Sequence, residues 1–109
     1  MLTEYDKLDI KIKNSYGFID VNHSLEYTGK ETIYGILLTL TEQQVKKINT
    51  LSDNINIIKG KAEKIGLEKN PNRSGSSREI KLDCHENVLE IFGAPDTIEI
   101  FISLLFNNE

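Results

Sequence analysis

Hydrophobic and polar residues alternate along much of the first forty residues, which indicates β-strands. In residues 7–14, KLDIKIKN, the apolar Leu8, Ile10 and Ile12 alternate with charged residues, and this is the period of a half-buried strand. Residues 18–27 predict a second strand, although His23 interrupts its apolar side. Residues 33–40 are rich in branched side chains and predict a third, more central strand.

A helix is predicted after residue 40, where the period of the pattern lengthens. Residues 41–44, TEQQ, have the form of a capping box. In such a box the Thr41 hydroxyl accepts from the Gln44 amide, and the Gln44 side chain accepts from the Thr41 amide. The apolar residues that follow recur at helical spacing, so the sequence predicts a helix from about 42 to 52.

The region after this helix predicts a long hairpin. Residues 55–65 predict an extended segment, because Gly60 and Gly66 disfavour a helix there. A polar loop, NPNRSGSS at 70–77, follows without an apolar anchor. The chain is then expected to return as a strand, so that residues 59–81 form the body of the hairpin.

The stretch LDCHEN holds the only cysteine of the chain beside a histidine and a carboxylate. It continues a strand predicted at 77–84. Alternation assigns Cys84 to the apolar core side of this strand and His85 to its solvent side. A turn is predicted at 86–87, where asparagine tolerates the left-handed region, and the last strand is predicted at 88–92.

The C-terminal residues predict a second helix. Pro95 and Asp96 suit a first helical turn. The residues after them are apolar nearly all round, so a helix at 96–107 must be covered on more than one side, by the chain itself, by a partner or by a second copy in a homodimer. An edge strand is the alternative for this segment. The sequence thus predicts a single α+β domain over 1–109, with a mainly antiparallel sheet of five or six strands and two helices, 42–52 and 96–107, on one face.

Charge is unevenly distributed along the chain, whose net charge is −4. Residues 59–81 carry seven basic and three acidic side chains, whereas residues 82–109 carry six acidic side chains and neither lysine nor arginine. This distribution predicts a basic hairpin and an acidic face. The hairpin has no aromatic side chain that could stack on a base, so nucleic acid is not the expected partner.

Three features predict a cytoplasmic protein. A single cysteine cannot form an internal disulfide. The chain has no run of 18 apolar residues, so no membrane span is expected. The N-terminus, MLTEYDKLDIKIKN, lacks the basic and then apolar segments of a signal peptide.

The candidate chemical groups do not favour catalysis or metal binding. A catalytic Cys–His pair must face one pocket, whereas Cys84 and His85 point to opposite sides of a strand. One cysteine and two distant histidines, His23 and His85, lack the paired spacing of a zinc site. We therefore expect no catalytic residue, metal or cofactor. Two alternatives remain: an enzyme that uses His85 with Asp83 or Glu86, hydrolytic or metal-dependent, and a module that binds nucleic acid or a small molecule at the basic hairpin.

Protein binding is the function that the charge pattern favours. The acidic tract 82–99 has four side chains that are expected to face outward: Asp83, His85, Glu86 and Glu90. Such a surface would steer the chain towards a basic partner. Nucleases and other toxins that act on nucleic acid have basic surfaces, because they must hold a polyanion.

The end of the chain, IKLDCHENVLEIFGAPDTIEIFISLLF, resembles the strand, Gly-x-Pro-acid turn and apolar helix that close some small immunity proteins of bacterial polymorphic and contact-dependent growth inhibition toxin systems. The rest of the chain is similar to them in its length, acidity and abundance of Asn, Ile and Lys. The resemblance implies a cytoplasmic inhibitor that neutralises one cognate toxin by tight 1:1 binding. These families share no fixed binding residues, so the resemblance assigns none here. A phage-type inhibitor of a bacterial defence protein is the alternative.

Overall fold

The computed structural model describes residues 1–29, 31–73 and 75–106. Within these residues the fold is α+β, with four α-helices and one antiparallel sheet of four strands. The helices are α1 (Glu4–Tyr16), α2 (Glu42–Thr50), α3 (Ile55–Lys69) and α4 (Pro95–Phe106). The strands are β1 (Asp20–Thr28), β2 (Glu31–Thr39), β3 (Lys81–His85) and β4 (Val88–Gly93).

The hydrophobic core lies between the helices and one face of the sheet. The strands follow the order β1-β2-β4-β3, so β1 and β3 are the edges. Because side chains alternate across a strand, the antiparallel register places one apolar set on a single face. This face is buried together with apolar residues of all four helices: Val21, Tyr34, Ile36, Leu38, Leu89 and Ile91 from the sheet, and Ile12, Ile48, Ala62, Ile98 and Phe101 from the helices.

The strand predicted at 7–14 is wrong, because these residues belong to helix α1. The Thr3 hydroxyl accepts from the Asp6 amide at 3.1 Å, and the Asp6 carboxylate accepts from the Thr3 amide at 2.9 Å, which completes a capping box. On this helix Asp9 is buried, whereas Ile10 is 47% exposed. The alternation of apolar and polar residues was misleading, because the buried side of this helix includes the polar Asp9 and its exposed side includes the apolar Ile10.

The strand predicted at 55–65 and the hairpin predicted at 59–81 are also wrong, since Ile55–Lys69 form helix α3. Gly66 lies where α3 meets α4, and a methyl group there would overlap Thr97. This close packing of the two helices outweighs the low helix propensity of glycine. Because two predicted strands are helices, the described chain has four strands instead of five or six, and four helices instead of two.

The segment between α3 and β3 is only partly the loop predicted at 70–77. Its second half forms a 3₁₀ turn at Gly75–Arg78. Residue 74 lies outside the described residues. The strand predicted at 77–84 therefore begins later, at Lys81.

Both predicted helices are confirmed. In α2 the Gln44 amide donates to the Thr41 hydroxyl at 3.2 Å, and the Gln44 side chain accepts from the Thr41 amide at 2.9 Å. The C-terminal segment is helix α4 and not an edge strand, and it begins at Pro95; residue 107, where the prediction ended, lies outside the described residues.

Helix α4 is a central element of the core. Its fully buried side chains contact α3 and the sheet side of the core: Ile98, Phe101, Ile102 and Leu105. A homodimer through this helix stays a prediction. None of the described helices combines the length and the apolar character that crossing a bilayer requires.

Candidate functional site

The face of the sheet opposite the core is accessible to solvent, and we call it the open sheet face. Its exposed side chains come from three strands: Asp20, Asn22, Ser24, Glu26, Leu37, Lys81, Asp83 and His85. Three half-buried side chains of β4 lie among them: Val88, Glu90 and Phe92. This face therefore combines a partly apolar centre with a polar margin, in which three acidic side chains outnumber one lysine.

Gly35 of β2 leaves room for the Phe92 ring on the open sheet face. It is paired with Phe92 of β4 in the register, and a Cβ atom at Gly35 would lie 2.7 Å from the Phe92 ring. Leu37, two residues further along β2, is 37% exposed on the same face. A side chain at Gly35 would therefore collide with the Phe92 ring and with Ser24.

Two acids face each other directly on this surface. Asp83 of β3 is the register partner of Glu90 of β4. Like charges in directly opposite positions of a sheet destabilise it. Among the described residues, no lysine or arginine forms an ion pair with either carboxylate. The imidazole Nε2 of His85 lies 3.0 Å from Asp83 Oδ2.

Three of the four predicted partner-binding residues are thus brought together on the open sheet face: Asp83, His85 and Glu90. The fourth, Glu86, is exposed in the turn between β3 and β4. Its φ of 55° places Glu86, and not Asn87, in the left-handed region, so that detail of the prediction is wrong. The Asn87 carbonyl instead accepts from the Leu40 amide at 2.7 Å, which ties the turn to the end of β2.

Cys84 was predicted in the core, and this is wrong because its thiol is exposed. Alternation does place Cys84 on the core side of β3, opposite Leu89. However, β3 is an edge strand, and four of its five residues are exposed. Strand alternation gave the correct side of the strand but could not show that no neighbour covers it.

The pair of His85 and Asp83 also bears on the enzymatic alternative. Their side chains are 74% and 54% exposed, so the pair lies in water. General bases work best where the protein positions the substrate and excludes bulk solvent. The exposure of this pair gives no support to catalysis there.

A second polar group, which we call the Asp9 network, lies on the core side of the sheet. The Asp9 carboxylate, on α1, accepts from the Tyr34 hydroxyl on β2, and its other oxygen is hydrogen-bonded to His23 Nδ1 on β1. The side chains of Asp9 and His23 are only 12% and 15% exposed. Burial, together with the hydrogen bond to the charged Asp9, raises the pKa of Tyr34 far above its usual value.

Asp6 lies one turn before Asp9 on α1 and completes this cluster. One ligand atom from each of Asp6, Asp9 and His23 lies within 4.8 Å of the others, and all three residues are partly or largely buried. The hydrogen bonds from the backbone and side chain of Thr3 lower the pKa of Asp6, so this carboxylate is ionised at neutral pH.

The sequence prediction missed this cluster because it read α1 as a strand. Residues 3–6, TEYD, carry the Ser/Thr-x-x-acid signature of a capping box, which predicts a helix start. A helix would have placed Asp6 and Asp9 three residues apart on one side. His23, the polar interruption of an apolar strand face, would then have been a candidate partner.

Comparisons of the chain with models of protein families, with curated proteins and with solved structures found no match. The resemblance of the C-terminal quarter to immunity proteins therefore stays a prediction. The geometry of the open sheet face and of the Asp9 network is what bears on function.

Proposed function

We propose that this chain is an immunity or inhibitor protein that neutralises a toxin by tight 1:1 binding, with the open sheet face as its binding surface. The observation that carries the proposal is the directly opposed pair of Asp83 and Glu90, which has no lysine or arginine partner among the described residues. Like charges in register on an exposed sheet lower stability, so stability alone does not account for this pair.

A basic side chain of the partner would relieve this repulsion. An arginine placed between Asp83 and Glu90 can bond both carboxylates, and charge-assisted hydrogen bonds of this kind are stronger than neutral ones. The repulsion between the two carboxylates is present in the free protein and relieved in the complex, so its relief adds to the binding free energy. His85 lies beside Asp83, and Glu86 lies at the end of the hairpin, so both belong to the rim of the same surface.

The centre of the face supplies the apolar contact that a stable interface needs. Leu37, Val88 and Phe92 are incompletely buried and lie on the two central strands, β2 and β4. Interfaces commonly combine such an apolar centre with a charged rim that steers association. The partner that fits is a protein with a basic, relatively flat surface, such as a toxin of the nuclease type.

The experiment begins with capture of the partner from the native cell background by the tagged chain, with identification by mass spectrometry. Association kinetics are then measured for the wild type and for a variant with Asp83→Asn, Glu86→Gln and Glu90→Gln combined. We expect the triple variant to associate about tenfold more slowly at low salt and to depend less on salt, because steering by charge is lost.

Glu68→Gln is the matched control, since Glu68 is an exposed acid on α3, away from the sheet. It should leave the association rate close to that of the wild type. Unchanged kinetics of the triple variant would refute the assignment of the open sheet face. A captured partner that is a bacterial defence protein would instead favour the phage-type inhibitor, which would bind a different target through the same charge-steered surface.

A further inference from the structure

We propose that Asp6, Asp9 and His23 form a binding site for Zn²⁺ or a similar late first-row dication, at the junction of α1 and β1. The site is separate from the open sheet face and does not depend on the proposed function. Its residues come from two elements that the capping box and the strand register hold in place.

The geometry is close to that of a three-ligand metal site. One donor atom from each residue lies within 4.8 Å of the other two. With zinc bonds of about 2.0–2.2 Å, tetrahedral ligand atoms are separated by roughly 3.4 Å, so small side-chain movements suffice. In the metal-free protein, Asp9 and His23 Nδ1 are hydrogen-bonded to each other, and the metal would replace that proton.

The charges also favour a cation. Two carboxylates converge where both Asp9 and His23 are nearly buried, and among the described residues no lysine or arginine forms an ion pair with either Asp6 or Asp9. Burying carboxylates is unfavourable unless positive charge compensates them. His23 can supply at most one such charge, whereas a dication would compensate both carboxylates. One imidazole among the ligands favours zinc over magnesium or calcium, which prefer oxygen alone.

Neighbouring groups already orient the ligands, as in known metal centres. The Tyr34 hydroxyl donates to the second oxygen of Asp9, and the Thr3 amide donates to Asp6 at 2.9 Å. Such outer hydrogen bonds fix the direction of ligand lone pairs. Three protein ligands leave one tetrahedral position for water.

The test uses the full-length chain with Cys84→Ser, because the exposed Cys84 thiol could itself bind zinc. After removal of metals with EDTA, Zn²⁺ affinity and stoichiometry are measured by competition with a coloured chelator. We expect one Zn²⁺ per chain, and at least about tenfold weaker binding in His23→Gln and in Asp6→Asn. Asparagine at Asp6 keeps a carbonyl for the helix cap, so folding should survive, and circular dichroism checks this.

His85→Gln is the matched control, since His85 forms the other His–Asp pair but is 74% exposed. This variant should bind Zn²⁺ as tightly as its parent. Thermal unfolding gives a second readout: Zn²⁺ should raise the midpoint for the parent and for His85→Gln, but not for Asp6→Asn. Absence of Zn²⁺ binding in the parent, or binding that persists unchanged in both ligand variants, would overturn the proposal.

Discussion

Asp9 is the residue that fixes helix α1 against the sheet. A carboxylate that is 12% exposed is tolerated only when its hydrogen bonds are made within the protein. Its two oxygens contact His23 and Tyr34, which belong to adjacent strands in the sheet order. Each partner therefore connects α1 to a different strand, and loss of either leaves an acceptor without its donor.

Tyr34→Phe removes one of these donors and little volume. We expect the free energy of unfolding at neutral pH to fall by about 1.5–3 kcal/mol, the range for a hydrogen bond to a charged group. Urea unfolding of the metal-free protein measures this change. Tyr27→Phe is the control, because Tyr27 is 74% exposed, and it should change stability little. Equal effects of the two substitutions would show that the bond to Asp9 does not stabilise the fold.

Alkaline pH gives an independent prediction for the same residue. Burial and Asp9 raise the pKa of Tyr34 in the folded state above the ordinary value of 10.0. The neutral phenol therefore stabilises the fold fully below about pH 10, and this contribution is lost as the pH rises towards the folded-state pKa. With EDTA present, the free energy of unfolding should fall more steeply above pH 10 in the wild type than in Tyr34→Phe. Parallel curves for the two proteins would contradict this.

Residue-level prediction from the sequence succeeded where only local geometry mattered. Alternation along a correctly identified strand placed Asp83 and His85 on the same side, and the next strand added Glu90. It failed for Cys84, since burial depends on which elements cover a strand end. It also failed for Asp9, because an aspartate is normally assigned to the surface. Its burial depends on hydrogen bonds to His23 and Tyr34, which are distant in the sequence.

At the scale of elements, α1 and α3 show where sequence patterns mislead. Three apolar residues of KLDIKIKN fit a strand, but one of them, Ile10, is exposed and the polar Asp9 is buried instead. In α3 the two glycines argued for a strand, but they have different roles. Gly60 is exposed with open space around it, whereas Gly66 is buried against Thr97 of α4.

These two glycines should respond oppositely to the same substitution. Gly60→Ala should raise the free energy of unfolding by about 0.5–1 kcal/mol, because alanine favours the helix and nothing lies within 4 Å of the new methyl group. Gly66→Ala should lower it by about 1–3 kcal/mol, since the methyl group must displace the buried Thr97. Urea unfolding of the two variants measures both effects, and a shared sign would show that α3 and α4 are not packed as described.

At the scale of the whole molecule, the two faces of the sheet contribute oppositely to stability. The core face holds the apolar residues and the satisfied Asp9 network, and it accounts for stability. The open sheet face holds the unfavourable pair of Asp83 and Glu90. Surfaces selected for binding commonly retain features that cost stability, so removing the feature should stabilise the fold and weaken the function.

Glu90→Gln should therefore raise the free energy of unfolding of the isolated chain by roughly 0.2–1 kcal/mol, because it removes repulsion from Asp83. The gain should shrink at about 1 M salt, where the Debye length is about 3 Å. Glu26→Gln is the matched control: Glu26 is exposed on the same face, but its register partner is the apolar Ile33. Urea unfolding at low and high salt compares the two variants.

An equal gain from Glu26→Gln would mean that lower net charge alone stabilises the protein, and that the opposed pair of Asp83 and Glu90 does not itself destabilise the fold. If only Glu90→Gln stabilises the chain and it also slows capture of the partner, the repulsion in the free protein is the feature that binding relieves.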